Sequence, residues 1–324
     1  MSDSNSTRYT AAFIAYAALL ASFWQLAHAL SLTANLASAT VPAFASFALL
    51  LLPLWFFGFG LAKDLRRLLH SRVSRLLAPS VLAIPYLLFA IPLQIFQFRY
   101  FFALALLPVA LSLLLEFSSR APKLLWQDLV VLVVLALTLE LRLLSGAWPY
   151  AGLGSFPKLY LADVALYFYL VIRDIQGAGY SFRPQASAFI IGAREWFFFA
   201  PIAIGIGLLS HFIHFFPRLH SLPHIAGALL ATFLLTAVPE EIFFRAILQN
   251  LLEGTMGRRW ALALSAMLFG LSHFHKGAAF NWRYVLLAAI AGIFYGRAWR
   301  QQRQVLASAT THTMIDVVWS LWFR

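Results

Sequence analysis

Three short clusters hold the side chains of this 324-residue chain that could do chemistry. The first is Val238-Pro239-Glu240-Glu241-Ile242-Phe243-Phe244-Arg245, inside an apolar run. The second is Phe269-Gly270-Leu271-Ser272-His273, and the third is His312-Thr313-Met314-Ile315-Asp316. An ionisable side chain at bilayer depth is costly and marks a functional site by default. Glu240 and Glu241 are adjacent carboxylates that repel each other and are poorly solvated there. Arg245 follows Glu241 by four residues, so the two share a helix face and can pair. Glu240 lies about 100° round the helix, off that face. Pro239 weakens the helix just before the pair and could open room for water. His312 and Asp316 share the same i, i+4 spacing, which puts an imidazole and a carboxylate on one face. A carboxylate that takes a proton from water, with imidazoles beside it, is the equipment of hydrolysis. A divalent metal such as Zn would instead acidify water directly and needs two or three N/O ligands. Glu240, His273 and His312 could supply that set. The His-Glu-x-x-His helix of common zinc proteases is absent.

The elements that carry these clusters must be membrane helices. Hydrophobic residues make up 62% of the chain and charged residues 11%, less than half the usual charged share of about 25%. Such a chain cannot hide its apolar surface in water, which excludes a soluble enzyme, a disordered chain and a secreted scaffold. Cysteine is absent, which excludes disulfides, thiolate metal sites and cysteine nucleophiles. A spanning helix needs about 20 mostly apolar residues. About eleven such runs are present, near 11–31, 41–62, 79–97, 100–116, 127–145, 159–172, 195–216, 225–251, 260–275, 284–298 and 304–323. Lipid admits only helices and closed barrels, and no run shows the alternation of a barrel strand. The expected fold is therefore an all-α polytopic bundle of about eleven transmembrane helices, with the chemistry in the last four or five. The first run, from Ala11, is long enough to stay as a span and is not expected to be cleaved.

A net charge of +12 raises the question of nucleic acid. The distribution answers it, because the basic residues flank apolar runs as the positive-inside rule expects. With the N-terminus cytoplasmic, 16 of the 24 Lys and Arg fall on the inner side, Arg120 among them, and 7 on the outer side, Arg324 among them. Arg245 remains inside a span. The stretch 173–194 is polar, with Gly177, Gly179 and Pro184, and reads as a cytoplasmic amphipathic connector. It divides a six-span region, 1–172, from a region 195–324 that holds nearly all the unusual charges.

Depth ties the clusters together. Measured from the inner loops, Glu240, His273 and His312 lie about 22, 22 and 14 Å into the membrane at 1.5 Å per residue. Three helices thus carry them to within about two turns of one level. Other histidines have simpler readings. His275 sits two residues from His273 and points elsewhere. His211 and His214 lie near the outer end of a span and read as interfacial packing. His220 and His224 fall in an outer loop and read as solvated.

Glu-Glu-x-x-x-Arg, Phe-x-x-x-His and His-x-x-x-Asp, in that order on successive membrane helices, resemble the CPBP family. These are the CAAX prenyl protease and bacteriocin-processing (Abi) intramembrane proteases. The matching residues are Glu240, Glu241 and Arg245, then Phe269 and His273, then His312 and Asp316. The resemblance runs from about Arg194 to Trp322 and leaves the first six spans unexplained. It implies an intramembrane endopeptidase in which Glu240 activates water with His273 beside it. Glu241 and Arg245 would fix the geometry. His312 and Asp316 would polarise the carbonyl, stabilise the oxyanion or hold a metal, since the family is named both as metalloprotease and as glutamate protease. Many relatives have Asn where this chain has Asp316. An amide donates a hydrogen bond and an ionised carboxylate does not, so Asp316 must be protonated, orient His312 or bind a cation. Ala246 stands where relatives often have Gly. The resemblance implies a membrane-associated peptide or protein as substrate. Compact loops and the lack of cysteine favour a bacterial inner membrane.

Two rival classes carry different expectations. A non-catalytic scaffold or immunity factor would use the same helices only to bind a membrane partner. A transporter would show broken helices in both halves, whereas the Pro-Glu-Glu break occurs only in the second.

Overall fold

Each of the eleven apolar runs contains helix. The structure, a computed structural model, describes residues 2–119, 121–183, 185–276 and 281–323. Arg120, Pro184 and Arg324, placed above in loops or the connector, lie outside these residues. Besides two short helices, Leu32–Leu36 and Leu61–Leu68, the helices are α1 (Ser2–Ala29), α2 (Thr40–Phe57), α3 (Arg72–Ala90), α4 (Phe98–Glu116), α5 (Trp126–Glu140), α6 (156–172), α7 (Ala186–Leu209), α8 (222–256), α9 (258–271), α10 (Trp282–Gln302) and α11 (Val305–Trp322). No strand occurs among the described residues, only an isolated pairing of Phe215 with Phe323. The chain is a polytopic helical membrane protein.

Among the described residues six helical stretches are long and apolar enough to cross a membrane, and one of them, Leu222–Leu271, runs for 50 residues and covers two of the runs. It breaks at Gly257, where φ is 78° and ψ is 166°. Glycine takes that left-handed φ without a steric penalty. The break falls just before Arg258 and Arg259, where the basic pair predicts an inner turn. Helices outside that set are short or more polar. α5 has 15 residues, and α10 and α11 mix apolar residues with Arg297, Arg300, His312 and Asp316. The outward faces are apolar, as Ile14, Leu106, Ile190 and Phe197 show, while Asp128, Glu195, Glu241 and Arg245 are buried. That inversion suits a surface that faces lipid, where backbone and charge must be satisfied internally.

The chain forms two units. Residues 1–120 and 125–175 make the first, and 121–124 and 176–324 the second. In the first, Tyr160 donates to the Leu104 carbonyl at 2.6 Å and Trp148 to Ser46 Oγ at 3.0 Å. The first ties α6 to α4, and the second ties the segment before α6 to α2, through buried groups that need a partner.

In the second unit, residues 176–183 are not helical, and α7 starts at Ala186, inside the stretch read as connector. The segment is held by its backbone. Trp299 Nε1 donates to the Ala178 carbonyl at 3.1 Å, and the Val305 amide to the Gly179 carbonyl at 2.9 Å. α7 and α11 come close at Gly192, where a Cβ would stand 2.7 Å from the Ala307 carbonyl oxygen. Thr311 Oγ1 donates to the Gly192 carbonyl at 3.0 Å across the same contact. Small residues and hydroxyls are the usual means of close helix approach in lipid. Glu195 is fully buried between Arg194 at 3.1 Å and Arg297 at 3.3 Å, which joins α7 to α10.

Candidate active site

The first cluster sits in an irregular part of α8. The helix widens to π-turns over Thr232–Ala237, tightens over Val238–Glu241 and widens again over Ile242–Gln249. Pro239 does not break it. The wide turns on either side accommodate the missing N–H, and π-turns inside α-helices recur at functional sites.

Glu241 is the hub. Its Oε2 is 3.0 Å from Arg245 Nε, with both side chains fully buried. Its Oε1 accepts from His312 Nδ1 at 3.0 Å. The carboxylate is thus fixed on both sides and in turn fixes the ring of His312, as outer partners orient catalytic or ligating imidazoles. Arg245 NH1 donates to Ser265 Oγ at 3.1 Å, and Ser265 donates to the Phe244 carbonyl at 3.0 Å. Breaking a buried ion pair by removing one partner costs about 3–5 kcal/mol, because the other charge stays buried.

The far side of His312 is more open. Its Nε2 lies 3.4 Å from Asp316 Oδ2 and 3.8 Å from Glu240 Oε2. Glu241 is 0% exposed, while Glu240 is 11% and Asp316 35% exposed. Glu240 and Asp316 therefore keep open surface and Glu241 keeps none. The imidazole is clamped between rings, with Tyr295 stacked at 4.6 Å and 14° and Phe269 edge-on at 5.6 Å.

His273 follows the end of α9. Its Nδ1 is 2.9 Å from the Phe269 carbonyl oxygen. A carbonyl only accepts, so Nδ1 carries the proton and donates, and Nε2 of the neutral ring presents a lone pair. Its ring rests on Phe269 at 4.9 Å and on Tyr284 at 4.8 Å.

His273, His312 and Asp316 line one wall of a cavity between α7, α10 and α11. The rest of the wall is mostly apolar and aromatic, including Trp196, Phe199, Phe212 and Trp319. It leaves about 70 Å³ open to the centres of water-sized spheres, whereas one water needs only about 10–15 Å³ on that measure. The space accepts water and an apolar group together.

All six residues of the three clusters, Glu240, Glu241, Arg245, His273, His312 and Asp316, lie in the second unit. Contacts of 3.0 to 3.8 Å join Glu240, Glu241, Arg245, His312 and Asp316 directly, and His273 lines the same cavity as His312 and Asp316. The metal expectation meets a different geometry. Among the described residues no group of three or more His, Asp or Glu side chains is spaced to hold an ion. Glu240, His273 and His312 therefore do not form a ready ligand set here.

Two groups were invisible to motif reading. Ser265 braces Arg245, and Tyr295 stacks on His312. A signal for the second exists, because Tyr284, Leu287, Ala288, Ala291 and Tyr295 form one stripe of α10 that faces the cavity. The remaining histidines stand apart. His275 is exposed against Phe274 at 4.8 Å. His220 and His224 stack at 4.9 Å, and His220 Nε2 is 2.9 Å from the Leu321 carbonyl oxygen. His220 is thus engaged at the end of α11 rather than simply solvated.

Residues 222–318 match the family model Rce1-like, described as type II CAAX prenyl endopeptidase Rce1-like. The match spans all three clusters and supports the family of CPBP-type CAAX proteases. It leaves out residues 1–221. No curated protein and no solved structure matches the chain significantly.

Proposed function

We propose that the protein is an intramembrane endopeptidase with Glu240 as the base that activates water, a reading that the Rce1-like match of residues 222–318 supports. The observation that carries this is the division of labour between the paired carboxylates: Glu241 is sealed, with one oxygen hydrogen-bonded to His312 and the other paired with Arg245, while Glu240 reaches the open side of His312. Water lodged beside Glu240 gives up a proton to the carboxylate as its oxygen attacks the scissile carbonyl. The carbonyl electron pair moves to oxygen. When the tetrahedral species collapses, the C–N bond breaks and Glu240 returns its proton to the leaving amine. His312 is aligned by Glu241 beside Glu240 and Asp316, and His273 borders the same cavity. A general base of this kind contributes about 10²–10⁴-fold. No step runs through a metal.

The substrate in this reading is a membrane-associated peptide or protein. A prenylated C-terminal peptide, the class named by the matching family, is the first probe. The apolar cavity wall next to the histidines supports a lipid-like or hydrophobic flank on the substrate. The charge distribution places the N-terminus on the cytoplasmic side, and we place the protein in a bacterial inner membrane.

The test compares purified wild type with Glu240→Gln in liposomes, using an internally quenched farnesylated peptide. Glutamine keeps the size and removes the base. We expect wild type to cleave and Glu240→Gln to lose about 10³-fold or more in kcat, at equal thermal midpoint. Cleavage by the variant at the wild-type rate removes Glu240 from the role.

A further inference from the structure

Hydrolysis of an amide also needs a donor for the carbonyl oxygen as it becomes negative, and such donors are usually the largest single electrostatic contribution. The residues of the three clusters do not supply one in this arrangement. Both nitrogens of His312 face carboxylates, Glu241 on Nδ1 and Asp316 with Glu240 on Nε2. His273 spends its Nδ1 proton on the Phe269 carbonyl. An ionised Asp316 only accepts. Arg245 is sealed behind Glu241 and Ser265.

Four donors remain on the cavity wall: the hydroxyls of Tyr284 and Tyr295 and the indole N–H groups of Trp196 and Trp319. Their positions separate them. Tyr295 is 2% exposed, and its ring stacks on His312 with the Arg245 guanidinium 5.8 Å from its centroid. It belongs to the sealed side. Trp319 stands between Phe212 at 5.2 Å and Tyr284 at 5.1 Å, as ring packing. Trp196, on α7, has a buried Nε1 with no hydrogen-bond partner among the described residues, and no ring contact joins it to the histidines of the clusters among those residues. Tyr284 rests against His273 at 4.8 Å on the wall that His312 and Asp316 share. Its hydroxyl makes no hydrogen bond among the described residues, so the donor is unspent.

We propose that the Tyr284 hydroxyl is the hydrogen-bond donor to the substrate carbonyl oxygen, a catalytic residue outside the three clusters. The assignment rests on the protease reading. As the water oxygen bonds to the carbonyl carbon and Glu240 takes the proton, the carbonyl π pair becomes an oxyanion. Tyr284 O–H binds that oxyanion without transferring its proton. Collapse restores the carbonyl, and the proton on Glu240 goes to the amine. The hydroxyl thus supplies what a carboxylate at position 316 cannot.

Tyr284→Phe removes one oxygen atom and keeps the ring against His273 and Trp319. Measured with the farnesylated quenched peptide in liposomes, kcat should fall about 10²–10³-fold, the usual loss on removing one oxyanion donor. KM and the thermal midpoint should stay as in wild type. A farnesylated phosphinate peptide, which carries a tetrahedral anion, should bind Tyr284→Phe more weakly than wild type by at least about tenfold. If the variant proves unstable, 3,5-difluorotyrosine at position 284 keeps the hydroxyl and changes only its acidity. A kcat that moves with that acidity supports the assignment, and an unchanged kcat overturns it. Tyr284→Phe at wild-type rate while Glu240→Gln is inactive overturns the tyrosine alone. An active Glu240→Gln overturns the base reading and leaves the tyrosine to its own variant. Cleavage by neither wild type nor variant, with no phosphinate binding, overturns both. A loss confined to Trp196→Phe transfers the donor to α7 and also overturns it.

Discussion

Each unit buries an arginine against a carboxylate, and the two pairs are finished differently. In the first unit, Arg173 meets Asp128 with two bonds of 2.8 Å and also donates to the Ser119 carbonyl. Asp128 in turn accepts the Leu125 amide at 2.9 Å at the start of α5, and Tyr169 donates to the Asp128 carbonyl at 3.2 Å. These bonds fill the fork, and the pair clamps α5 to the end of α6. In the second unit, Glu241 gives one oxygen to Arg245 and the other to His312. Arg245 Nε and NH2 have no hydrogen-bond partner of good geometry. The pair is passed on to an imidazole rather than closed. Low dielectric makes incomplete satisfaction costly, so an open pair is kept only where another group uses it. The same residue types therefore make a strut in one unit and an aligning device in the other.

That contrast can be broken by variants. The largest effect belongs to Glu241→Gln, which leaves Arg245 uncompensated and His312 without its anchor. Stability should fall by about 3–5 kcal/mol, read as a lower thermal midpoint. Cleavage per folded molecule should fall by at least about 10²-fold. Asp128→Asn should show a stability loss in the same range of about 3–5 kcal/mol with cleavage per folded molecule unchanged. Equal activity loss in both variants would erase the distinction between strut and device. Ser265→Ala comes next, since it removes one hydrogen bond to a charged group, a contribution of about 1.5–3 kcal/mol. Its expected signature is a modest drop in thermal midpoint with a smaller fall in kcat than Glu241→Gln gives. The smallest expected effect is that of a zinc chelator, which should leave cleavage unchanged within about twofold. Loss of activity on chelation, with recovery on adding Zn, would call for Glu240, His273 and His312 to regroup around an ion.

The local relations were legible in the sequence because they are helical arithmetic. Glu241 with Arg245 and His312 with Asp316 both meet at i, i+4 spacing, at 3.0 and 3.4 Å. The turn before Arg258 and Arg259 was likewise marked by a glycine and two charges. Pro239 was read as a weak point, yet the helix runs through it on π-turns. Residue spacing does not encode such widening. The solvated reading of His220 failed for another reason: the loop folds back so that His220 meets the end of α11, and nothing local announces that return.

Composition and spacing by themselves determined the helical membrane class, the approximate runs and the residues that share a face, because lipid leaves the backbone almost no alternative and 3.6 residues per turn decide which side chains align. Tertiary structure alone decided that Glu241 reaches His312 across 71 positions, that Glu240 and not Glu241 meets the open side, and that Tyr284 and Tyr295 face opposite needs of one cavity. These choices depend on which helix faces which, and that is settled by small-residue contacts such as Gly192 on Ala307 and by the satisfaction of buried charge, both of which are sums over distant parts of the chain.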